Sequence, residues 1–187
     1  MDRRQLLKGI GAVTLYSSFS SVLSEFLSSC SSTAAKQRAG FFSDEEFLML
    51  ETIADIILPK TATPGALELQ VPYFIELVVK DCMNKDDQRL IKEGLQQLNK
   101  DAGKKFSALS GKEKSALVNK IDAAAFSDDN SNAWYRIIKK LALVGYFTSQ
   151  EGMTKALNYV KVPGDYRACI PHKKGDKAMA KTFLLYW

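Results

Sequence analysis

The side chains that could carry out chemistry are few and widely spaced. The 187-residue chain has one histidine, His172, and three cysteines, Cys30, Cys82 and Cys169. These do not offer the closely spaced ligands of a zinc site, and no C-x-x-C-H motif is present for covalent haem. A serine nucleophile would need His172 as its base, and no G-x-S-x-G motif is present. The sequence therefore predicts neither a catalytic residue nor a metal site.

Three carboxylates near apolar segments are the remaining candidates for acid–base chemistry. Asp55, Glu68 and Glu76 could in principle include a catalytic pair, because two close carboxylates shift each other's pKa. Acids in such positions more often cap helices, pair with a lysine such as Lys60 or Lys80, or face water. We interpret them as structural. The sequence also lacks a phosphate-binding loop and a dinucleotide fingerprint, so we expect no cofactor in this chain.

The first residues have the layout of an export signal. Arg3 and Arg4 precede a short apolar stretch over residues 9–23, as in signals with a twin-arginine head. The stretch is too short and too rich in serine to span a bilayer stably. The alternative is an amphipathic first helix with two incidental arginines. We predict an export signal over residues 1–29, and hence a periplasmic location.

A cysteine follows the apolar stretch in the context Leu-Ser-Ser-Cys. This tetrapeptide resembles a bacterial lipoprotein cleavage box, in which Cys30 would be acylated and anchor the protein to the membrane. The alternative is ordinary cleavage near Ala34, after a small-x-small sequence. Residues 30–42 are then predicted to form a polar tether.

Export would bring the two remaining cysteines into an oxidising compartment. Cys82 and Cys169 could form a disulfide there, which would close a long loop and stabilise the fold by a few kcal/mol. The alternative is two separately buried thiols, which behave as small hydrophobic groups.

The elements that would position these side chains are helices. Ser43 followed by Glu46 predicts a capped first helix, which Pro59 ends. Pro72 marks the start of a second helix, whose residues are apolar nearly all round and are expected to be buried. Between them lies a corner that contains Pro64 and Gly65.

Further helices follow in the second half of the chain. Asn84 is predicted to cap a third helix, and Ser110 with Glu113 to cap a fourth. The inner face of the fourth helix is predicted to carry Leu117, Ile121 and Ala124. A fifth helix is predicted over residues 132–147. Gly145 within it costs about 1 kcal/mol relative to alanine, so we expect close packing there.

These patterns predict an all-α protein. We expect one compact helical domain of about five to seven helices over residues 43–171, with no strand, because no stretch alternates strictly. Residues 172–187 form a basic and then apolar tail. The formal net charge is +5, from 26 basic and 21 acidic residues. Because bases and acids are interleaved, we expect no nucleic acid partner.

Three blocks of sequence together carry a resemblance to a known family. They are residues 52–59 running into 63–66, residues 141–152, and residues 157–159 with 163–166. In this order and spacing, after a twin-arginine start, they resemble the gluconate 2-dehydrogenase subunit 3 family. The resemblance covers residues 43–171.

The resemblance implies a function for a chain without reactive groups. It implies a non-catalytic small subunit that escorts, and with a lipid anchors, a large FAD-dependent subunit of the glucose-methanol-choline type. That complex would oxidise a sugar, sugar acid or polyol, use the twin-arginine translocon and often include a c-type cytochrome. FAD would belong to the partner, and this chain would hold no cofactor.

Five residues are candidate contacts with that partner, because rigid turns and aromatic side chains make contacts of low entropic cost. They are Pro64, Gly65, Tyr146, Phe147 and Tyr166. For the aromatic residues the alternative is ordinary helix-end core. Two other functions compete with the accessory subunit: a freestanding helical lipoprotein that binds a ligand or an envelope protein, and an enzyme in its own right.

Overall fold

The structure is a computed structural model that describes residues 38–103, 105–127, 131–160, 162, 169, 171 and 173–179. Several predicted sites lie outside the described residues. They are Arg3, Arg4, Cys30, Tyr166, His172 and the apolar end of the tail.

The described residues form a helical body. The α-helices are α1 (Asp44–Ile57), α2 (Val71–Cys82), α3 (Lys85–Asp101), α4 (Gly111–Ala125) and α5 (Ala133–Thr148). A 3₁₀ turn (Phe106–Ala108) precedes α4, and a π-helical turn (Gly152–Ala156) follows α5. Within the described ranges the only β feature is an isolated bridge between Asn158 and Met179. The all-α prediction is confirmed.

The helices begin where the cap residues predict. At α1 the Ser43 N–H donates to Glu46 Oε2 at 2.9 Å, while the Ser43 hydroxyl oxygen accepts from the Glu46 N–H. Ser110 and Glu113 form the same reciprocal pair at α4. The side chain of Asn84 caps α3. Each cap satisfies N–H groups that have no partner within the helix.

Helix α5 lies at the centre of the body and contacts each of the other four helices. Two glycines allow this close packing. A Cβ on Gly145 would lie 2.6 Å from Cδ1 of Phe74 in α2. A Cβ on Gly94 of α3 would lie only 2.1 Å from Cγ of Trp134 in α5. The close packing predicted at Gly145 is confirmed, whereas the close packing at Gly94 was not predicted.

Two predicted faces need correction. Helix α2 is not buried all round, because Leu77 is 51% exposed. On α4 the buried residues besides Ile121 are Val118 and Ala125, whereas Leu117 and Ala124 are only half-buried. The α4 sequence carries two overlapping apolar stripes, and α5 covers the one that contains Val118.

Candidate functional site

The buried charge of the described body is the carboxylate of Glu76. Its side chain is fully buried on α2 and accepts three backbone hydrogen bonds from the residues that precede α1. The donors are the N–H groups of Ala39 at 2.9 Å and of Phe41 and Phe42 at 3.1 Å each. The guanidinium of Arg38 lies 3.4 Å from the same carboxylate. We call residues 38–42 the strap and their bonds to Glu76 the clasp.

The strap sequence explains how these donors converge on one carboxylate. Gly40 has a φ of +73°, which glycine adopts without strain, so the chain turns between donor groups. Successive N–H groups around such a turn form a concave anion-binding surface. Phe42 is buried, and Lys80 donates to the Ala39 carbonyl at 2.7 Å. The strap therefore packs on the body, which corrects the predicted tether over residues 38–42.

The clasp keeps Glu76 ionised. Burial by itself would raise the pKa of Glu76, but the hydrogen bond from the Phe42 N–H and the bond and charge of Arg38 hold it below its ordinary value. A carboxylate occupied by donors in this way is a poor general base, because its lone pairs are already engaged. The arrangement is structural rather than catalytic.

The role predicted for Glu76 from the sequence differs from the observed one. We expected Glu76 to cap a helix, pair with a lysine or face water, and that expectation is wrong. One signal could have identified its burial: Glu76 lies four residues after Pro72 and three before Val79, on the buried face of α2.

The other two candidate acids, Glu68 and Asp55, do not pair with Glu76. Glu68 pairs with Lys60, as predicted, and accepts the Gly65 N–H at 3.2 Å. The hydrogen bond from Lys60 is the main reason why the pKa of Glu68 is lowered. Asp55 is exposed on α1. The three carboxylates thus occupy three different environments and do not form a catalytic pair.

The corner between α1 and α2 joins several of the predicted contact residues. Tyr146 is 5% exposed, and its hydroxyl donates to the Pro64 carbonyl oxygen at 2.9 Å. Gly65 is buried, and a Cβ there would lie 2.8 Å from the backbone nitrogen of Lys60. Tyr146 and Gly65 are therefore part of the buried interior. Pro64 and Phe147 are half-buried, and their contact with a partner stays a prediction.

The described surface also includes a shallow, half-open pocket near α4. Its volume is about 260 Å³, and it is lined by Asp101, Leu117, Lys120, Ile121, Ala124 and Asn132. Pockets for small molecules commonly enclose about 300–1,000 Å³. This pocket is smaller and more open, so it does not favour a ligand-binding function.

Large apolar side chains are exposed at several positions. Val162 is 78% exposed and Phe126 is 60% exposed. The others are Leu48, Leu67, Leu77, Tyr159, Val160 and Met179. Single exposed apolar residues are normal, but a subunit that assembles with another chain would bury some of them.

The two cysteines within the described ranges are free and exposed. Cys82 is the last residue of α2, and Cys169 lies near the end of the predicted domain over residues 43–171. The structure therefore does not join them in a disulfide. It also does not bury the two thiols separately, which was the alternative.

The described residues contain neither a helix suited to cross a membrane nor a cluster of metal-binding side chains. None of the helices there is both long enough and apolar enough to cross a bilayer. The same residues contain no group of three or more histidine, cysteine, aspartate or glutamate side chains that could hold a metal ion.

Comparison with known proteins identifies the family. The sequence model of gluconate 2-dehydrogenase subunit 3 matches residues 44–164, a range that includes the five α-helices and the π-helical turn of the described residues. Neither a curated protein nor a solved structure matches the chain. Because the match covers more than half of the sequence, the chain belongs to the gluconate 2-dehydrogenase subunit 3 family.

Proposed function

We propose that this chain is the non-catalytic small subunit of a periplasmic, membrane-associated dehydrogenase. Its large partner would be an FAD-dependent oxidoreductase of the glucose-methanol-choline type that oxidises a sugar, sugar acid or polyol. A c-type cytochrome would be a further partner in complexes that contain one. The small subunit would escort the flavoprotein through the twin-arginine translocon and hold it at the membrane.

The family match over residues 44–164 is the observation that carries this proposal, since the family implies association with a dehydrogenase complex. The chemistry of the described body is consistent with an accessory role. Its buried carboxylate is occupied by strap donors, and its acids are dispersed. Exposed apolar side chains such as Leu77 supply area that a partner could cover.

Co-purification tests the subunit assignment. The chain is tagged at its C-terminus, expressed from its own chromosomal locus with the neighbouring genes intact, and purified under mild conditions. We expect a larger, yellow chain that releases FAD on denaturation and oxidises its substrate. If the small chain is consistently recovered alone and monomeric, the assignment is wrong and the freestanding lipoprotein gains support.

The escort role has a separate test. Arg3→Lys together with Arg4→Lys keeps the positive charge but removes the paired guanidinium groups. We expect both subunits to remain in the cytoplasm of cells that carry this variant. A large subunit that is still exported normally would contradict the escort role.

The lipid anchor is tested at Cys30. We expect metabolic labelling with a fatty acid to mark the wild-type chain, and Cys30→Ser to abolish both the label and membrane association. A mature chain that begins just after Ala34 would instead establish ordinary signal cleavage.

A further inference from the structure

The strap joins the helical body to residues 1–37 and is held by both kinds of backbone group. Glu76 accepts the N–H groups of Ala39, Phe41 and Phe42, while Lys80, one turn later on α2, donates to the Ala39 carbonyl. One face of α2 therefore binds the strap through both its N–H groups and one of its carbonyl groups.

Arg38 extends this grip to α1. Its guanidinium contacts Glu76 on α2, pairs with Asp44 in the first turn of α1, and lies 4.2 Å from the centroid of the Phe47 ring. It also donates to the carbonyl of Phe42 within the strap. The partners of Arg38 come together only when α1 and α2 are both formed and packed.

If residues 38–42 were a solvated tether, the buried carboxylate of Glu76 would lack its hydrogen-bond donors. Removing an ionised carboxylate from water is costly unless it is hydrogen-bonded, so the body gains little from Glu76 unless the strap is in place. The carboxylate and the strap are therefore interdependent. In the folded chain the carboxylate and the strap N–H groups satisfy each other's hydrogen bonds, and loss of either leaves the other without its partner.

We propose that the clasp is a fold-dependent lock on the junction between the body and everything that precedes it. In the folded chain the lock holds residues 38–42 against α1 and α2, and it shields the peptide bond between Arg38 and Ala39 from proteases. Proteolytic processing of the upstream segment then stops before Arg38. This proposal concerns the chain alone and stands whether or not a flavoprotein partner exists.

Limited digestion with trypsin tests the lock. Trypsin cuts after lysine and arginine, and the bond after Arg38 fits its active site only if the flanking residues become extended. The full-length chain is digested in mild detergent, and mass spectrometry follows new N-termini at Ala39 and at Lys140. Cleavage before Lys140, inside α5, reports global unfolding.

Two variants open the lock by different routes. Glu76→Gln removes the charge with little change in volume. Gly40→Val forces a β-branched residue into a positive φ, yet a Cβ there meets nothing within 4 Å, so the core is untouched. For each variant we expect cleavage after Arg38 to be at least tenfold faster than in the wild type. The rate of cleavage before Lys140 should stay unchanged in Gly40→Val, whereas in Glu76→Gln it should also rise, because that variant loses global stability.

Each variant has a matched control. Glu68→Gln removes a carboxylate from the exposed pair with Lys60. Gly103→Val introduces the same strain at another glycine with positive φ and open space around its Cβ. Neither control should speed cleavage after Arg38.

Hydrogen exchange supplies a second readout. In the wild type, the amides of Ala39, Phe41 and Phe42 should exchange at least tenfold more slowly than in Gly40→Val. If Glu76→Gln does not fold, Gly40→Val decides the question. The lock is refuted if Gly40→Val is folded and cut after Arg38 no faster than the wild type.

Discussion

The hydroxyl of Tyr146, near the end of α5, donates to the carbonyl oxygen of Pro64 at 2.9 Å, across 82 residues of sequence. The hydroxyl of Thr63 lies 3.0 Å from the same phenol oxygen. A non-helical corner has carbonyl groups that no helix satisfies, and α5 supplies a donor to this one. The contact ties the link between α1 and α2 to the central helix.

Removing that hydroxyl should destabilise the fold. Tyr146→Phe keeps the ring but leaves the partly buried Pro64 carbonyl without this donor, so we expect a loss of about 0.5–1.5 kcal/mol in the free energy of unfolding. Urea denaturation followed by circular dichroism measures it. Tyr159→Phe is the matched control, because Tyr159 is 46% exposed, and it should change stability by less than about 0.5 kcal/mol. Equal effects of the two changes would contradict the role of this hydrogen bond.

The packing of α3 on α5 predicts that Gly94 does not tolerate a side chain. Alanine would gain about 1 kcal/mol in helix propensity, but its Cβ would overlap the Trp134 ring at 2.1 Å. Overpacking of this kind costs about 1–3 kcal/mol, so we expect Gly94→Ala to lower the free energy of unfolding on balance. Thermal denaturation provides the measurement. Gly111→Ala, where a Cβ meets nothing within 4 Å, should be neutral or stabilising.

The clasp predicts a pH dependence of stability. The pKa of Glu76 is lower in the folded chain than its ordinary value of 4.5, because its hydrogen bonds and Arg38 outweigh the effect of burial. Above pH 4.5 the carboxylate is charged in both states, and its stabilisation is fully present. As the pH falls below 4.5, the unfolded chain binds the proton first, and the stabilisation is lost as the pH passes through the folded pKa.

Comparison with Glu76→Gln isolates this contribution. Near pH 7 we expect the variant to be less stable than the wild type by about 2–4 kcal/mol. The difference should narrow as the pH is lowered below 4.5. Urea titrations of both proteins between pH 3 and pH 7 measure it. A difference that is constant throughout, or one that widens at low pH, would contradict a lowered pKa.

The proposed assembly predicts that part of the exposed apolar surface meets the partner. We would replace Leu48, Leu77, Phe126 and Val162 by aspartate one at a time. Because these side chains are at least half exposed, each change should alter the stability of the isolated chain by about 0.5 kcal/mol or less. At least one should reduce recovery of the large subunit tenfold or more in co-purification. Four variants that all retain the partner fully would place the interface elsewhere.

The sequence determined those features that depend on neighbouring residues. The caps at Ser43, Asn84 and Ser110 and the restart at Pro72 all involve groups within about one helical turn. Hydrogen bonds of such short range are encoded by residue type and spacing, so helix starts and the all-α class could be predicted. The family resemblance likewise required no coordinates, because ordered blocks of sequence carried it.

Only the tertiary structure decided which surfaces are inside. The partners of Glu76 lie 34 to 38 residues before it, and those of Tyr146 more than 80 residues before it. A helical period shows that a stripe can be buried, but not which neighbouring helix covers it or at what rotation. Three features could therefore not be predicted from the sequence, because they depend on how the helices pack. They are the buried face of α4, the close packing at Gly94 and the hydrogen-bonded carboxylate of Glu76.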